Sequence, residues 1–383
     1  MLIGAAPHFF PGMKVLDLCA APGGKSTLLS TRVGEEGLVV ANEIVGGRAR
    51  VLEENVTRWG ATNMVVTNNR SESFSSLTHY FDLILVDAPC SGEGMFRKDP
   101  DVIGHWSPKM VSKCAERQRE ILGNIWPTLK PGGQLIYSTC TYNRKENEDI
   151  IHWLLDEYNG NIEIESLNFD SDWGLTPGDS QGYAPAMERT RHAYLHRVKG
   201  EGFFLALLKK TGATTRSGKV RKSQKGKGKK AVAHKRKELS VQALKTAKSF
   251  LSNPDHWELH IDQEEVEAWP KAFVNDIEDL KRKLNVFKAG IKLGKGNRDQ
   301  FIPHHDLAMS PLLSQEVPFV ELDYENAIQY LKRGTVQPSG EPPKGWVLAR
   351  YKGVNLGWMK VLPNRINIHL PRHWKIRADV SNW

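Results

Sequence analysis

Residues 15–26 read VLDLCAAPGGKS: an apolar run that ends in an acid, a loop of small residues, and then a polar stretch that opens with Lys25. Small residues let a ligand come close to the backbone of such a turn, and the amides at the start of a following helix point at whatever lies there. The segment therefore requires a strand before the loop and a helix after it, and the N-terminal half keeps repeating that alternation. Residues 14–18, 38–41, 64–66, 82–86 and 134–137 read as strands, with residues 203–208 as a late strand at the sheet edge. Between them, Leu52, Val56 and Trp59 fall on one helical face, as do Ile121, Leu122, Ile125 and Leu129 ahead of Pro131, Gly132 and Gly133. Short strands alternating with helices predict an α/β fold built on an open, Rossmann-like sheet.

At 383 residues the chain is longer than one core usually absorbs, so a second domain is expected. Its location follows from charge. The sequence carries a net +9, from 53 basic and 44 acidic residues, yet residues 216–237 alone hold eleven Lys or Arg and no acid. Without them 42 basic residues face 44 acidic ones, so the basic excess belongs to one segment. Interspersed Gly and Ser and the scarcity of apolar residues mark it as a flexible basic linker, open either to simple solvation or to contact with a phosphate backbone. The predicted division is 1–210, a linker at 211–238, and 239–383, the last being helical from 241 to 284 and then made of short strands from 317 to 377. No apolar run approaches the ~18 residues of a membrane span, so a soluble, cytoplasmic chain is expected. The four cysteines, Cys19, Cys90, Cys114 and Cys140, include no CxxC pair and suggest neither a metal site nor a disulfide framework.

Two ligand classes compete for the glycine loop. Gly24, Lys25 and Ser26 imitate the end of a P-loop, and the strand running to Asp87 imitates one that serves magnesium, but the glycine a P-loop needs five places before Gly24 is Cys19. A nucleoside cofactor at the strand ends instead predicts an acid about 20 residues on, at the tip of the second strand, to take ribose hydroxyls. Glu43 stands there. Cys90 follows the fourth strand in DAPCSGEG and Cys140 the fifth in YSTCT, so both project toward the same crevice. Cys19 and Cys114 are read as small packing residues. Thiolate addition at carbon 6 of a pyrimidine turns carbon 5 into a nucleophile that can accept an electrophilic methyl group. Such chemistry needs one reactive thiol, an electropositive neighbour such as Lys25, a carboxylate such as Asp87 at the ring edge, and help in expelling the thiol afterwards.

VLDLCAAPGGKS at 15–26, DAPCSGEGMFRKD at 87–99, YSTCTYNRKENE at 137–148 and GEGFF at 200–204 together resemble the Sun-type RNA cytosine-C5 methyltransferases, in the family's order. The resemblance implies S-adenosylmethionine as methyl donor, held by Cys19, Ala20, Ala21, Pro22, Gly23, Gly24, Lys25, Glu43 and Asp87. It also implies Cys140 as nucleophile and Cys90 as the residue that assists product release, with Lys25 and Asp87 approaching the target cytosine. The family expects an acidic cofactor contact after the third strand; Asn68, Asn69 and Arg70 stand there, and Asn69 is the candidate for bonding the adenine. Within the family, residues 290–308, 353–361 and 364–377 resemble the small-subunit ribosomal RNA methyltransferases of the F type, whose core is followed by a PUA-like domain. A mixed α+β PUA-like region is therefore expected, with Trp346, Trp358 and Trp374 either stacking on RNA or filling a small core. Ribosomal RNA, in the small subunit, is the implied partner of a monomeric enzyme. Transfer RNA methylation and a non-catalytic role in ribosome assembly are the alternatives. The first strand begins by Lys14, ahead of which the family carries an N-terminal RNA-binding region, so an upstream start or a fragment is expected.

Overall fold

The computed structural model describes residues 2–212, 241–262, 264–297 and 300–378; almost all of the predicted basic linker lies outside them. In chain order the first part holds α1 (Leu2–Ala5), β1 (Lys14–Asp17), α2 (Gly24–Val33), β2 (Leu38–Asn42), α3 (Gly46–Trp59), β3 (Met64–Thr67), β4 (Phe81–Asp87), α4 (Pro108–Ile125), β5 (Leu129–Thr139), α5 (Glu148–Glu157), β6 (Ile162–Ile164), β7 (Thr176–Pro177), β8 (Arg191–Ala193) and β9 (Phe203–Lys210). The second holds α6 (Val241–Ser249), β10 (Trp257–Asp262), β11 (Glu265–Pro270), α7 (Val274–Lys283), β12 (Val286–Ala289), β13 (Ile291–Asn297), β14 (Gln300–Pro303), α8 (His305–Met309), β15 (Phe319–Glu321), α9 (Tyr324–Leu331), β16 (Gly345–Tyr351), β17 (Val354–Leu362) and β18 (Arg365–Ile368).

The main sheet runs β12-β3-β2-β1-β4-β5-β9-β8-β7, with β6 paired to β9. Strands β3, β2, β1, β4 and β5 are parallel, and β9 returns antiparallel to β5. Strands covered on both faces need unbroken apolar runs, which is why LVVAN in β2 and MVVT in β3 are buried throughout. Chain order reverses between β1 and β4, so the carboxyl ends of these strands open a crevice there. Helix α4 shows why the flanking layers form. Ser107 caps it by accepting from Met110 N at 3.2 Å, Pro108 occupies the first turn, and Val111, Ala115, Gln118, Leu122 and Ile125 are buried at three- and four-residue spacing.

Several boundaries differ from the sequence reading. Leu129 does not close a helical face but opens β5. On α3 the buried side chains are Ala49, Leu52, Val56 and Thr57, whereas Trp59, the last helical residue, is 59% exposed. The region 241–284 is helical only at its two ends, because the chain between them forms the antiparallel hairpin β10–β11. The break at residue 239 is also crossed: Asp276–Lys288 packs with the N-terminal unit and Glu54–Thr62 with the C-terminal one. Asp276 holds the first of these in place, accepting from Lys14 Nζ at 2.5 Å and from Tyr80 Oη at 2.7 Å.

The C-terminal unit contains two four-stranded sheets, β10-β11-β13-β14 and β15-β16-β17-β18. Trp358 is fully buried and donates from Nε1 to His304 O at 2.9 Å, so it is a core residue of this unit. Trp374 meets the buried His305 edge-on at 4.3 Å, and Trp346 packs at the rim of the same core.

Candidate active site

The loop after β1 turns into α2 at Gly23, whose φ of 117° is a conformation that favours glycine. Ser26, one turn into the helix, donates to Asp17 Oδ2 at 2.6 Å and so ties the helix start to the strand end. Beside this loop lies a cleft of about 640 Å³, whose walls include Cys19, Glu43, Asn69, Asp87, Cys90 and Cys140. Of the other loop residues, Ala21 also lines it, Ala20 and Gly23 are buried, Pro22 and Gly24 are exposed and Lys25 is half-buried.

The reactive end is made by β4 and β5. Their parallel register sets Asp87 opposite Ser138, and Ser138 Oγ donates to Asp87 Oδ1 at 2.7 Å. The other carboxylate oxygen of Asp87 accepts from Lys25 Nζ, also at 2.7 Å. Burial pushes the Lys25 ammonium down, but the charge and hydrogen bond of Asp87 outweigh it and hold its pKa above the ordinary lysine value. Three residues beyond Asp87 and two beyond Ser138, the sulfurs of Cys90 and Cys140 lie 3.2 Å apart. Their shared hydrogen bond drives the two thiols in opposite directions, Cys140 below the usual thiol range and Cys90 above it. Burial opposes the first shift and adds to the second, and Lys25 helps to lower Cys140. Two glycines let the loops approach. Gly94 N donates to Cys140 O at 2.8 Å, and a Cβ on Gly94 would lie 2.8 Å from Cys140 O and 2.8 Å from Gly202 O.

The cofactor end is made by β1, β2 and β3. Glu43 is buried, with Oε1 accepting from Val45 N at 2.9 Å and Oε2 facing Arg48 NH1 at 3.3 Å. Arg48 in turn donates to Ala21 O at 3.0 Å, which joins the acid to the glycine loop. A carboxylate has about four lone-pair sites, so two partners leave Glu43 able to accept ribose hydroxyls. Asn69 lines the cleft, but both ends of its amide are engaged: Nδ2 donates to Asn285 O at 3.2 Å and Oδ1 accepts from Asn285 N at 3.0 Å. One N–H of the amide and one lone pair of its oxygen remain for a ligand in the cleft. Cys19 is pushed far above the ordinary thiol range, by burial first and then by Asp17. Cys114, on α4, is also raised by burial.

Sequence reasoning missed Asp17. Its carboxyl is fully buried, its Oδ1 has no hydrogen-bond partner, and burial, aided by Asp87 and Glu43 against the Ser26 bond, pushes it up to about 7. An orphaned buried carboxylate oxygen beside the glycine loop suits a cationic ligand. Glu43 in the cleft wall suits the hydroxyls of an adenosine, the buried Asp17 behind the loop suits a cationic sulfonium or ammonium group, and the volume is that of an ordinary small-molecule site. Also missed were Gln118, Glu146 and Asn147, all fully buried beneath the two cysteine loops. Among the described residues no cluster of His, Cys, Asp and Glu could hold a metal ion.

The family described as "16S rRNA methyltransferase RsmB/F" matches residues 9–209, just over half of the chain, and "Methyltransferase RsmF PUA domain" matches 317–376. The ribosomal RNA small subunit methyltransferase F of Shewanella loihica is 35% identical over 362 residues, which is 94% of this chain and 72% of the relative. The chain belongs to the RsmB/F family of 16S rRNA methyltransferases. As a member of RsmB/F it is an S-adenosylmethionine-dependent enzyme that methylates ribosomal RNA. The methyltransferase F of Salmonella paratyphi A is 33% identical over 369 residues, again 94% of this chain and 72% of the relative. Among solved structures, a methyltransferase homologue from Pyrococcus horikoshii is 30% identical with a TM-score of 0.46, covering 55% of this chain and 64% of that one.

Proposed function

We propose that the enzyme methylates carbon 5 of a cytosine in small-subunit rRNA through a covalent bond to Cys140. The observation that carries this reading is the pair of sulfurs 3.2 Å apart at adjacent strand ends, beside the Lys25–Asp87 ion pair. The Cys140 thiolate adds to carbon 6 of the ring, and Lys25, steered by Asp87, donates a hydrogen bond to the charge that develops at the ring edge. S-adenosylmethionine, when bound, supplies the electrophilic methyl group. Asp17, Glu43 and the loop from Cys19 to Lys25 are the residues that would hold it. Transfer of the carbon 5 proton to a water then re-forms the double bond and expels Cys140 as a thiolate. Cys90 assists that departure by donating a hydrogen bond from its S–H to the leaving sulfur.

The target base must leave its stack to reach these groups, so an accessible cytosine is the substrate. The same reading makes the enzyme a cytoplasmic monomer that acts on small ribosomal subunits or their RNA. The test is labelled methyl transfer to unmodified small subunits, free rRNA and transfer RNA, with mapping of the product and a Cys140→Ala control. Incorporation at one rRNA cytosine that vanishes in the control is expected. Transfer by Cys140→Ala at the normal rate would refute the covalent route, and incorporation into transfer RNA alone would refute the substrate.

A further inference from the structure

Two neighbouring thiols that share one hydrogen bond pose a question of assignment: either sulfur could keep the proton. The answer lies beneath them. Glu146 is completely buried, and its carboxylate accepts from the Ser91 amide at 3.0 Å and from Gln118 Nε2 at 3.0 Å. Gln118 Nε2 also donates to Pro89 O at 3.0 Å, so the residues on both sides of Cys90 are held by one carboxylate–amide pair. Asn147 does the same for Cys140. It accepts from Thr139 Oγ1 at 2.6 Å and donates to Thr141 O at 3.0 Å, while Ser91 and Thr141 join the two loops through their hydroxyls at 3.0 Å.

The brace is asymmetric in charge. Every contact to the Glu146 carboxylate is a donor, as an ionised acid requires. The charge therefore lies on the Cys90 side, whereas the Lys25–Asp87 ion pair lies on the Cys140 side. The other titratable groups around the assembly are Glu93, Cys114 and Tyr137 near Glu146. A carboxylate behind one thiol disfavours a second negative charge there, while in the ion pair beside the other Asp87 raises Cys140 and Lys25 lowers it.

We infer that Glu146 is a positioning residue for methyl transfer: through Ser91 and Gln118 it fixes the Cys90 loop, and its charge keeps the shared proton on Cys90 so that Cys140 is the nucleophile. This rests on the roles given above to Cys140 and Cys90. It gives distinct roles to two sulfurs that both reach the cleft.

The experiment is competitive alkylation with iodoacetamide of the full chain, without RNA or cofactor, reading Cys140 and Cys90 separately by mass spectrometry between pH 6 and 9. Wild type is expected to react at Cys140 first. Glu146→Gln keeps the shape of the brace but removes its charge, and should cut the Cys140:Cys90 rate ratio about ten-fold, the effect of one pKa unit on the thiolate fraction. Gln118→Ala weakens the brace but leaves the charge, and should lower kcat with the ratio unchanged. A ratio that stays within about two-fold of wild type in Glu146→Gln overturns the inference, as does an equal drop in Gln118→Ala. A further arm leaves Glu146 in place and so holds even if Glu146→Gln does not fold. In Cys140→Ser, Cys90 should still titrate above about 8.5, and titration at or below that value overturns the inference. Because the alkylation arms read no methyl transfer, failure there leaves the proposed function standing, and failure of the Cys140→Ala control leaves the alkylation result intact.

Discussion

Replacing Asp17 by Asn should stabilise the protein at neutral pH while weakening cofactor binding. The carboxyl is fully buried, and burial, with Asp87 and Glu43 adding to it, raises its pKa from 3.8 to about 7. A raised folded-state value means that the folded protein holds the proton more tightly than the unfolded chain. The stability this gives is fully present below pH 3.8 and is lost as pH rises toward 7. Each pH unit in that window changes the balance by about 1.4 kcal/mol, so the full penalty of the ionised group is about 4 kcal/mol. Asn keeps an oxygen for the Ser26 hydroxyl and carries no charge. Subtracting wild-type from variant stability cancels every other titrating group, and the difference isolates this one. Urea unfolding at pH 4.5 and pH 8 should show the variant gaining about 3 kcal/mol on wild type between the two. A difference that changes by less than about 1 kcal/mol, or a variant that loses ground at pH 8, would refute the reasoning. Titration calorimetry supplies the functional half: wild-type affinity for S-adenosylmethionine should strengthen as pH rises through 7, and Asp17→Asn should bind weakly at every pH.

Four further outcomes follow. Cys90→Ala removes the donor that lowers Cys140, so it should accumulate a protein–RNA adduct on denaturing gels and move the midpoint of the pH–rate profile upward. A clean monomer band with an unmoved midpoint would exclude that role. Gly94→Ala puts a Cβ 2.8 Å from two backbone oxygens that cannot swing away, and should lower kcat at least about ten-fold. Gly123→Ala on α4 meets nothing within 4 Å and should stabilise by about 0.5–1 kcal/mol in urea melts with kcat unchanged. In the C-terminal unit, burial pushes His305 down to about 3 and both its ring nitrogens lack partners. Its folded value lies below the unfolded 6.5, so stability is present above pH 6.5 and is lost as pH falls, by about 2.7 kcal/mol at pH 4.5. His305→Phe should flatten that acid limb in urea melts of the full chain.

What the sequence disclosed, it disclosed because the information was contiguous. Each parallel strand is a short unbroken apolar run, and Lys25, Asp87, Cys90 and Cys140 each follow such a run within a few residues, so topology alone brings them to one crevice. Where contacts join distant segments the reading was incomplete. The bonding of Asn69 to Asn285 was invisible because the two are 216 residues apart. Trp59 continued the helical spacing of Leu52 and Val56, but at the last residue of α3 the spacing no longer specifies a buried face. The hairpin β10–β11 was masked by helix-forming residues on both sides, although the alternation in EVEAWP was the signal that could have found it. Glu146 and Asn147 precede a helix, where polar residues are common; only burial reveals them as parts of the site.

The placement of the two thiols is a consequence of strand register more than of either loop. Parallel neighbours lie about 4.8 Å apart, and β4 and β5 are aligned so that Asp87 faces Ser138. Ala88 N donating to Ser138 O at 2.8 Å carries that alignment one residue past the ladder. From there Pro89 and Thr139 lead each chain out to its cysteine, and the Glu146 and Asn147 braces fix the exits. A slip of one residue in β5 would turn Ser138 to the opposite face, break its bond to Asp87 and send Cys140 away from Cys90. The apolar core of β5, Leu135, Ile136 and Tyr137, is fully buried and resists that slip, so the packing that stabilises the sheet also sets the distance between the sulfurs.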